Sequence, residues 1–341
     1  MCRRTGTERR SLRCGRGQRR RRCRSRGARR TDRLMTVSSL SGRVAVVTGG
    51  GKGLGRAVAL HLASRGVTVI VNNRNRTLDS SGRGPADQVV DEILETGGQA
   101  VANHDDVTDP EVGRKLVDDA LTRFGRLDFC ITSAAVSGPQ MLHRTTAENL
   151  STVITTNVVG TALVAAEASR VMREAGFGRI VMIASTAGLH GEPTVSAYAA
   201  SKGAVIALGR TAAGEGASRN VFTNVVLPYA TTQMTESGMD PRFIDIMGAD
   251  LVAPVVTALV DPESTTNGQV IVTAGNGVRS ADAVEGSTEF LPTTTELDAK
   301  ALDALLVTSR LGTPHTYPSA QEAFADFASE LLDHHNQKAR A

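Results

Sequence analysis

The segment Val44–Gly55, with the sequence VAVVTGGGKGLG, decides the fold. Its first five residues predict a buried strand, and the glycine-rich turn leads at once into an amphipathic helix pattern over 54–65. The glycines permit a tight turn in which backbone N–H groups approach a ligand, and the helix N-terminus adds partial positive charge. Such a turn binds a pyrophosphate in dinucleotide-binding folds, although glycine-rich turns also occur without a ligand. The candidate dinucleotide-binding residues in this turn are Thr48, Gly49, Lys52, Gly53, Leu54 and Gly55.

Outward from this segment, short apolar runs alternate with amphipathic segments. Near-continuous apolar strands separated by helices are typical of a parallel sheet covered on both faces. With right-handed crossovers they predict an α/β fold, a doubly wound Rossmann-type parallel sheet of seven strands, followed by a C-terminal helical appendage. The predicted strands are Val44–Thr48, Thr68–Asn72, Ala100–Asn103, Leu127–Thr132, Arg179–Ala184, Val221–Val226 and Gln269–Val272. The predicted helices cover 54–65, 85–96, 110–124, 147–174, 196–217 and 249–260.

The distribution of charge and the composition along the chain predict three regions. Residues 1–34 hold 15 of the 39 Lys and Arg but 2 of the 35 Asp and Glu, which gives a net charge of +13 there and −9 in the remainder. We expect 1–34 to be a disordered Arg-rich leader, or an untranslated stretch before a start at Met35. Nucleic-acid binding by this leader is the alternative, which its lack of aromatic residues and of zinc-ligand spacing disfavours. Residues 35–285 then form the Rossmann domain, and 286–341 form an extension with a Thr- and Pro-rich loop and the amphipathic run Ser319–Leu332.

Cysteine and histidine usage bears on location and on metals. Three of the four Cys lie in the leader, and the remainder keeps only Cys130. A disulfide framework is therefore excluded there, which fits a reducing, cytoplasmic location. We expect no membrane span, because no apolar stretch approaches ~18 residues. The seven His are scattered without ligand spacing, so we also expect no metal.

The end of the second predicted strand, Asn72-Asn73-Arg74, bears on the choice between NAD and NADP. A carboxylate at this position binds the ribose hydroxyls of NAD, whereas Arg or Lys accepts the 2′-phosphate of NADP. No acid is present here and Lys52 lies in the glycine turn, so the pattern favours NADP over NAD unless both cations are simply solvated. The acid after the third strand could accept from the adenine amino group or cap the next helix. The candidates at this end of the site are Asn73, Arg74, Asp106 and Val107.

A second set of candidates follows the fifth strand. Tyr198 and Lys202 stand four residues apart at the start of a predicted helix, and so on one face of it. A free phenol has a pKa near ~10, and we expect the neighbouring ammonium to lower it so that Tyr198 exchanges a proton at neutral pH. Ser185 ends a strand, where its hydroxyl can hydrogen-bond a substrate oxygen. Asn157 could hold a water that links Lys202 to solvent. Each residue alone has an ordinary structural explanation, and their joint order along the chain indicates an active site.

In that order the motifs resemble the short-chain dehydrogenase/reductase family. The family's TGxxxGxG pattern corresponds to Thr48–Gly55, its catalytic Asn and Ser to Asn157 and Ser185, and its YxxxK to Tyr198 and Lys202. The resemblance covers about residues 43–275 and implies an NAD(P)(H)-dependent oxidoreductase. It further implies nucleotide contacts from Ser133, Ala134, Ala135, Tyr198, Lys202 and Pro228.

More narrowly, the chain resembles the (3R)-hydroxyacyl-CoA dehydrogenase domains of peroxisomal multifunctional enzymes of type 2. The resemblance is carried by the stretches 97–103, 178–182, 228–235 and 251–254, by the long loop 74–84 and by the run 319–332. It implies an acyl-CoA substrate, a role in fatty acid metabolism, and a homodimer or homotetramer with the 286–341 extension near the dimer interface.

Three departures from that pattern concern cofactor choice and substrate shape rather than the chemistry. The family's Asn-Asn-Ala-Gly is Thr132–Ala135 here, the subgroup's Asn-Asp is Asn72-Asn73, and the common Pro-Gly is Pro228-Tyr229.

These observations predict hydride transfer between NAD(P)(H) and a carbonyl or secondary alcohol, with a 3-oxoacyl- or (3R)-hydroxyacyl-CoA as the substrate. A hydroxysteroid or a 3-oxoacyl group on acyl-carrier protein is the alternative substrate. A non-catalytic dinucleotide-binding sensor is the alternative of another class, and the presence of both Tyr198 and Lys202 disfavours it.

Overall fold

A computed structural model of the chain describes residues 39–74, 78–233, 235, 240–291 and 297–340. Within them, strands and helices alternate from β1 to α7, as the apolar pattern predicts. The strands are β1 Val44–Thr48, β2 Thr68–Asn72, β3 Gln99–Asn103, β4 Phe129–Thr132, β5 Gly178–Ile183, β6 Val221–Pro228, β7 Val270–Ala274 and β8 Gly277–Ser280. The helices are α1 Gly53–Ser64, α2 Pro85–Glu95, α3 Val112–Phe124, α4 Ala147–Ile154, α5 Gly160–Ala175, α6 Ala187–His190, α7 Ser196–Gly216, α8 Pro241–Ile244, α9 Ala249–Val260, α10 Ala299–Leu311 and α11 Ala320–Arg340.

The sheet confirms the doubly wound α/β fold. Its strand order is β3-β2-β1-β4-β5-β6-β7-β8, and the first seven strands in the chain are all parallel. β2 and β3 are added on one side of β1, and the chain then crosses to the other side of β1 to form β4. The direction in which strands are added to the sheet therefore reverses between β1 and β4. Ligands bind at the carboxyl edge of an open parallel sheet where such a reversal occurs. The fold thus places the end of β1 and the glycine turn at the centre of that edge.

The sheet has eight strands, one more than the seven predicted. β8 pairs antiparallel with β7, with Ala274 opposite Gly277 across a tight turn. All four residues of β8 are exposed, so the strand has no apolar run that the sequence pattern could have revealed. The strand forms because it hydrogen-bonds to β7 in a hairpin.

The core lies on both faces of the sheet. In β1, Ala45 and Val47 pack with α1, α2 and α9 on one face, while Val44 and Val46 pack with α3, α5 and α7 on the other. Side chains alternate between the two faces of a strand, so a strand that is apolar at every position must be covered on both sides. This burial fixes the sheet edge that carries the candidate site.

The helix predicted over 147–174 is present with one interruption. Thr155–Val159 form a π-helical turn between α4 and α5. By length and composition alone, the combined helix Ala147–Ala175 could cross a membrane. In the fold, however, Val164 and Met172 are buried in the cluster that covers the sheet. The packing of a core helix therefore accounts for its hydropathy.

The C-terminal extension contains two helices. α11 covers the predicted run Ser319–Leu332, whereas α10 lies in a stretch expected to be loop. The Asp298 carboxylate accepts a hydrogen bond from the Ala301 amide at 2.7 Å, which caps the N-terminus of α10. No residue of α10 is buried, although Leu302, Leu305 and Leu306 stand at helical spacing, and that spacing was the signal available in the sequence. The leader expected over 1–34, and the start at Met35, lie outside the described residues and stay predictions.

Candidate active site

A cavity of about 580 Å³ opens at the carboxyl edge of the sheet. It joins the glycine turn after β1 to the strand end after β5 and the first turn of α7. Most of the residues predicted for the site line it: Gly49, Lys52, Gly53, Leu54, Asn73, Arg74, Val107, Ser133, Ala134, Ala135, Ser185, Tyr198, Lys202 and Pro228. The candidate catalytic residues Ser185, Tyr198 and Lys202 are thus brought into one cavity with the glycine turn, although they lie far apart from it in sequence.

The glycine turn is shaped so that its backbone faces the cavity without side chains. Gly49 has φ +65°, and an added Cβ would lie 2.8 Å from the Ala134 amide nitrogen. At Gly55 an added Cβ would lie 2.3 Å from the Gly49 carbonyl oxygen, so helix α1 approaches the turn too closely for any side chain. The turn therefore fits the pyrophosphate of a dinucleotide, which needs exposed N–H groups and a helix N-terminus.

Two of the predicted turn residues support the cavity from behind. The Thr48 side-chain oxygen accepts hydrogen bonds from the amides of Ser133 at 3.1 Å and Ala134 at 3.3 Å. This contact joins the end of β1 to the end of β4. Neither Thr48 nor Gly55 lines the cavity, so each acts on the shape of the turn rather than as a direct contact.

At the ends of β2 and β3, the structure pairs two predicted residues with each other. Arg74 donates to the Asp106 carboxylate at 2.9 Å. Burial alone would raise the pKa of Asp106, but hydrogen bonds from Arg74 and from Thr108 hold it below its ordinary value. Asp106 does not line the cavity, whereas Val107 does. Of the two roles left open for this acid, the structure shows a turn contact, because the Thr108 amide donates to the Asp106 carboxylate at 3.0 Å. The adenine contact stays a prediction.

The catalytic candidates differ from expectation in their electrostatics. The Lys202 ammonium lies 5.6 Å from the centre of the Tyr198 ring and donates to the Ile183 carbonyl at 2.8 Å. Lys202 is 3% exposed, and burial lowers its pKa to about 8. Burial raises the pKa of the Tyr198 phenol, and a hydrogen bond with Ser185 lowers it in part. The predicted lowering of the Tyr198 pKa by Lys202 is therefore wrong for this arrangement, because the buried ammonium is directed to a backbone carbonyl.

Asn157 lies beside the cavity rather than in its wall. Its side chain accepts from the Val136 amide at 2.8 Å and donates to the Val136 carbonyl at 2.9 Å. It also donates to Ser201 at 2.9 Å, and Ser201 in turn donates to the Tyr198 carbonyl. The predicted water link to Lys202 stays a prediction. The Asn157 side chain ties the loop after β4 to the helix that carries Tyr198.

Several residues of the cavity wall escaped the sequence analysis. Asn72 donates to the Asn103 side chain at 2.8 Å and to the Asp105 carbonyl at 2.9 Å, which joins the ends of β2 and β3. Asn72 and Asp105 are direct neighbours of predicted residues, so their position at strand ends was the available signal. Glu192 gave no such signal, because it lies in a loop whose path only the fold defines. The further wall residues that we did not predict include Val136, Ser137, Thr156, Val195, Tyr229, Gln233 and Thr235.

Metal-ligating side chains do not cluster in the part of the chain that the structure describes. No group of three or more His, Cys, Asp or Glu there is arranged to hold a metal ion.

Comparison with known proteins places this geometry in a family. The family model for short chain dehydrogenases matches residues 43–241. A short-chain type dehydrogenase/reductase of Mycobacterium tuberculosis is 36% identical over 239 residues, which are 70% of this chain and 84% of the relative. The chain belongs to the short-chain dehydrogenase/reductase family, and it is an oxidoreductase that uses an NAD(P) dinucleotide.

Two further proteins are similar to this chain over most of its length. The peroxisomal multifunctional enzyme type 2 of Drosophila melanogaster is 36% identical over 247 residues, which are 72% of this chain but 41% of that enzyme. The crystal structure of a short chain dehydrogenase from Mycobacterium avium superimposes with a TM-score of 0.71 at 30% identity, covering 82% of this chain and 99% of the other. The chain thus spans most of its mycobacterial relatives but less than half of the peroxisomal enzyme.

Proposed function

We propose that this protein transfers a hydride between NADP(H) and a 3-oxoacyl/(3R)-hydroxyacyl thioester of coenzyme A. One observation carries the proposal: Ser185, Tyr198 and Lys202 line a single cavity together with the glycine turn. A strand-end hydroxyl, a phenol and a buried ammonium in one cavity are suited to polarise a carbonyl and to exchange a proton with its oxygen.

When bound, the nicotinamide supplies or accepts the hydride. The remaining work falls to side chains of this chain. In the direction of reduction, the Ser185 hydroxyl donates a hydrogen bond to the substrate carbonyl oxygen, and Tyr198 gives its phenolic proton to that oxygen. Because burial raises the pKa of Tyr198, the phenol is protonated at neutral pH and ready to donate.

Lys202 and Asn157 have supporting roles in this proposal. In this proposal the buried Lys202 ammonium, which donates to the Ile183 carbonyl, has further donors that can hold ribose hydroxyls. Asn157 is a positioning residue that fixes Val136 in the wall and, through Ser201, the first turn of α7. A water relay beside Asn157 stays a prediction.

NADP is the preferred cofactor in this proposal. Lys52 and Arg74 both line the cavity, and neither Asn72 nor Asn73 at the end of β2 supplies the carboxylate that binds ribose hydroxyls in NAD-dependent relatives of this fold. The ion pair with Asp106 offsets part of the charge of Arg74, so the preference rests more on Lys52, which is exposed.

The resemblance to (3R)-hydroxyacyl-CoA dehydrogenase domains supports the acyl-CoA substrate and a place in fatty acid metabolism. A 3-oxoacyl group on acyl-carrier protein and a hydroxysteroid are the rival substrates. The same resemblance supports a homodimer or homotetramer with the 286–341 extension at the interface, and the absence of a disulfide partner for the buried Cys130 among the described residues fits a cytoplasmic location.

Initial-rate assays test the proposal directly. The purified full chain is assayed with acetoacetyl-CoA, with longer 3-oxoacyl-CoA substrates, with an acyl-carrier-protein thioester and with a 3-oxosteroid, each with NADPH and NADH in parallel. We expect turnover with the CoA thioesters and a higher kcat/KM with NADPH. Turnover restricted to the steroid would overturn the substrate assignment, and nucleotide binding without turnover of any ketone would favour the sensor alternative.

A further inference from the structure

Glu192 adds a carboxylate to the wall of the cavity that Ser185 and Tyr198 also line. It lies in the loop between α6 and α7, seven residues after Ser185 and six before Tyr198, and it lines the same cavity as both. The side chain is exposed, and its carboxylate has no hydrogen bond or ion pair among the described residues. It is therefore available to interact with whatever enters the cavity.

The loop that carries Glu192 is held firmly at both ends. On the side of α6, Gly188 packs directly on α7, since an added Cβ there would lie 2.4 Å from the Gly203 amide nitrogen. On the side of α7, the Ser196 amide donates to the Gln140 carbonyl at 3.3 Å. Between these anchors Thr194 has φ +72°, a conformation that β-branched residues rarely adopt. Strain of this kind persists only where the surrounding structure imposes it, and it is found mainly at functional sites.

Among the described residues, no charged residue that lines the cavity forms an ion pair with Glu192. Lys52, Arg74 and Asp105 belong to the turn after β1 and the ends of β2 and β3, where the dinucleotide fits. The Lys202 ammonium donates to the Ile183 carbonyl. The two carboxylates among the described lining residues are therefore Asp105, beyond the end of β3, and Glu192, in the loop that leads to α7. A substrate that carries its own carboxylate beside the reacting carbonyl would place two like charges in a partly desolvated space.

We propose that Glu192 is a specificity-determining residue that favours neutral 3-oxo esters and thioesters over the free 3-oxo acids. This inference deepens the proposed function, and it rests on the carbonyl reduction proposed there. At its acyl carbon a thioester or ester is neutral, whereas the free acid carries a carboxylate there, so a carboxylate in the cavity wall distinguishes the two by charge at that position. The enzyme would then act on activated acyl groups and ignore the free acids derived from them.

The test compares two small substrates with the same reacting carbonyl, ethyl acetoacetate and acetoacetate. Initial rates are measured with NADPH at low ionic strength for the wild type, for Glu192→Gln and for Glu192→Lys. The matched control is Glu95→Gln, which changes an exposed carboxylate that does not line the cavity. For the wild type we expect kcat/KM to favour the ester by about tenfold or more.

In Glu192→Gln this preference should fall by about fivefold, chiefly through a lower KM for acetoacetate, and Glu192→Lys should reduce it further. Added salt should weaken the preference of the wild type, because screening shortens the reach of the charge. Glu95→Gln should leave the preference as it is. An ester preference that is unchanged in both Glu192 variants would overturn the proposal. If the enzyme reduces the ester but none of the CoA thioesters, the proposed CoA substrate is wrong. The role of Glu192 is then still supported by the comparison of ester and free acid.

Discussion

The two ends of the cavity are built differently. At the reacting end, Lys202 and Asn157 are almost fully buried, and each is bound to a defined backbone group, the Ile183 carbonyl and both polar groups of Val136. At the dinucleotide end, the charges are more accessible, and the side chains of Arg74 and Asp106 are 25% and 37% exposed. Buried polar groups are costly unless they are paired, so their geometry is fixed by the fold. Accessible charges are screened by solvent and salt, so each contributes only a small part of the affinity for a ligand.

This contrast predicts large effects for substitutions of the buried groups at the reacting end, and smaller effects for accessible charges such as those at the dinucleotide end. The largest is expected for Tyr198→Phe, which removes the proton donor and retains the ring. Turnover should fall by about a thousandfold or more, since general acid catalysis contributes up to about 10⁴-fold. NADPH affinity, measured by fluorescence titration, should change little. Retention of a near-normal rate would contradict the assignment of Tyr198.

Gly188→Ala tests the close packing of α6 on α7. The added Cβ would lie 2.4 Å from the Gly203 amide nitrogen and 2.8 Å from the Lys202 Cβ. Because these atoms belong to a buried helix, we expect the free energy of unfolding to fall by about 3 kcal/mol, measured by urea denaturation. Gly214→Ala is the matched control in α7, with no atom within 4 Å of the added Cβ, and it should be neutral or slightly stabilising. Equal effects of the two substitutions would mean that the packing at Gly188 is not tight.

The buried Lys202 predicts a pH dependence of stability. Its pKa is about 8 in the folded state and 10.5 ordinarily, so between these values the unfolded chain binds more protons. The free energy of unfolding of the wild type should therefore rise with pH through this window, by at most about 3 kcal/mol. Lys202→Met lacks this contribution. Urea titrations of both proteins at pH 7 to 10 should show the stability advantage of the variant shrinking as the pH rises, and parallel curves would refute the buried charge.

At the dinucleotide end, Arg74→Ala should raise the KM for NADPH by about fivefold and change the KM for NADH by less than twofold, as expected for an accessible charge near a phosphate. Asp106→Asn should act in the opposite direction, because it releases the guanidinium from its ion pair. Arg65→Ala, at the far end of α1, is the control for a general loss of positive charge. If all three variants leave the ratio of the two KM values unchanged, the NADP preference does not depend on Arg74.

Much of the fold was predictable because most of its strands contain near-continuous apolar runs. Val44–Thr48 and Thr68–Asn72 have the predicted bounds, and so does helix 249–260. β8 was missed because its four residues are exposed and contain no apolar run. α10 was missed although Leu302, Leu305 and Leu306 stand at helical spacing. Short helices such as α6 and α8 were also not predicted, because a helix of four residues is too short to show a hydrophobic period.

Seven strands of the sheet, the glycine turn and the candidate catalytic residues could be predicted from the chain, because local patterns and their order carry that information. The pairing of side chains, in contrast, is defined by the fold. It joined Arg74 to Asp106, directed the Lys202 ammonium to a carbonyl, used the Asn157 amide to hold a loop, and brought Glu192 to the cavity. These contacts join residues from separate elements, and their energies depend on burial and distance, which no local pattern specifies.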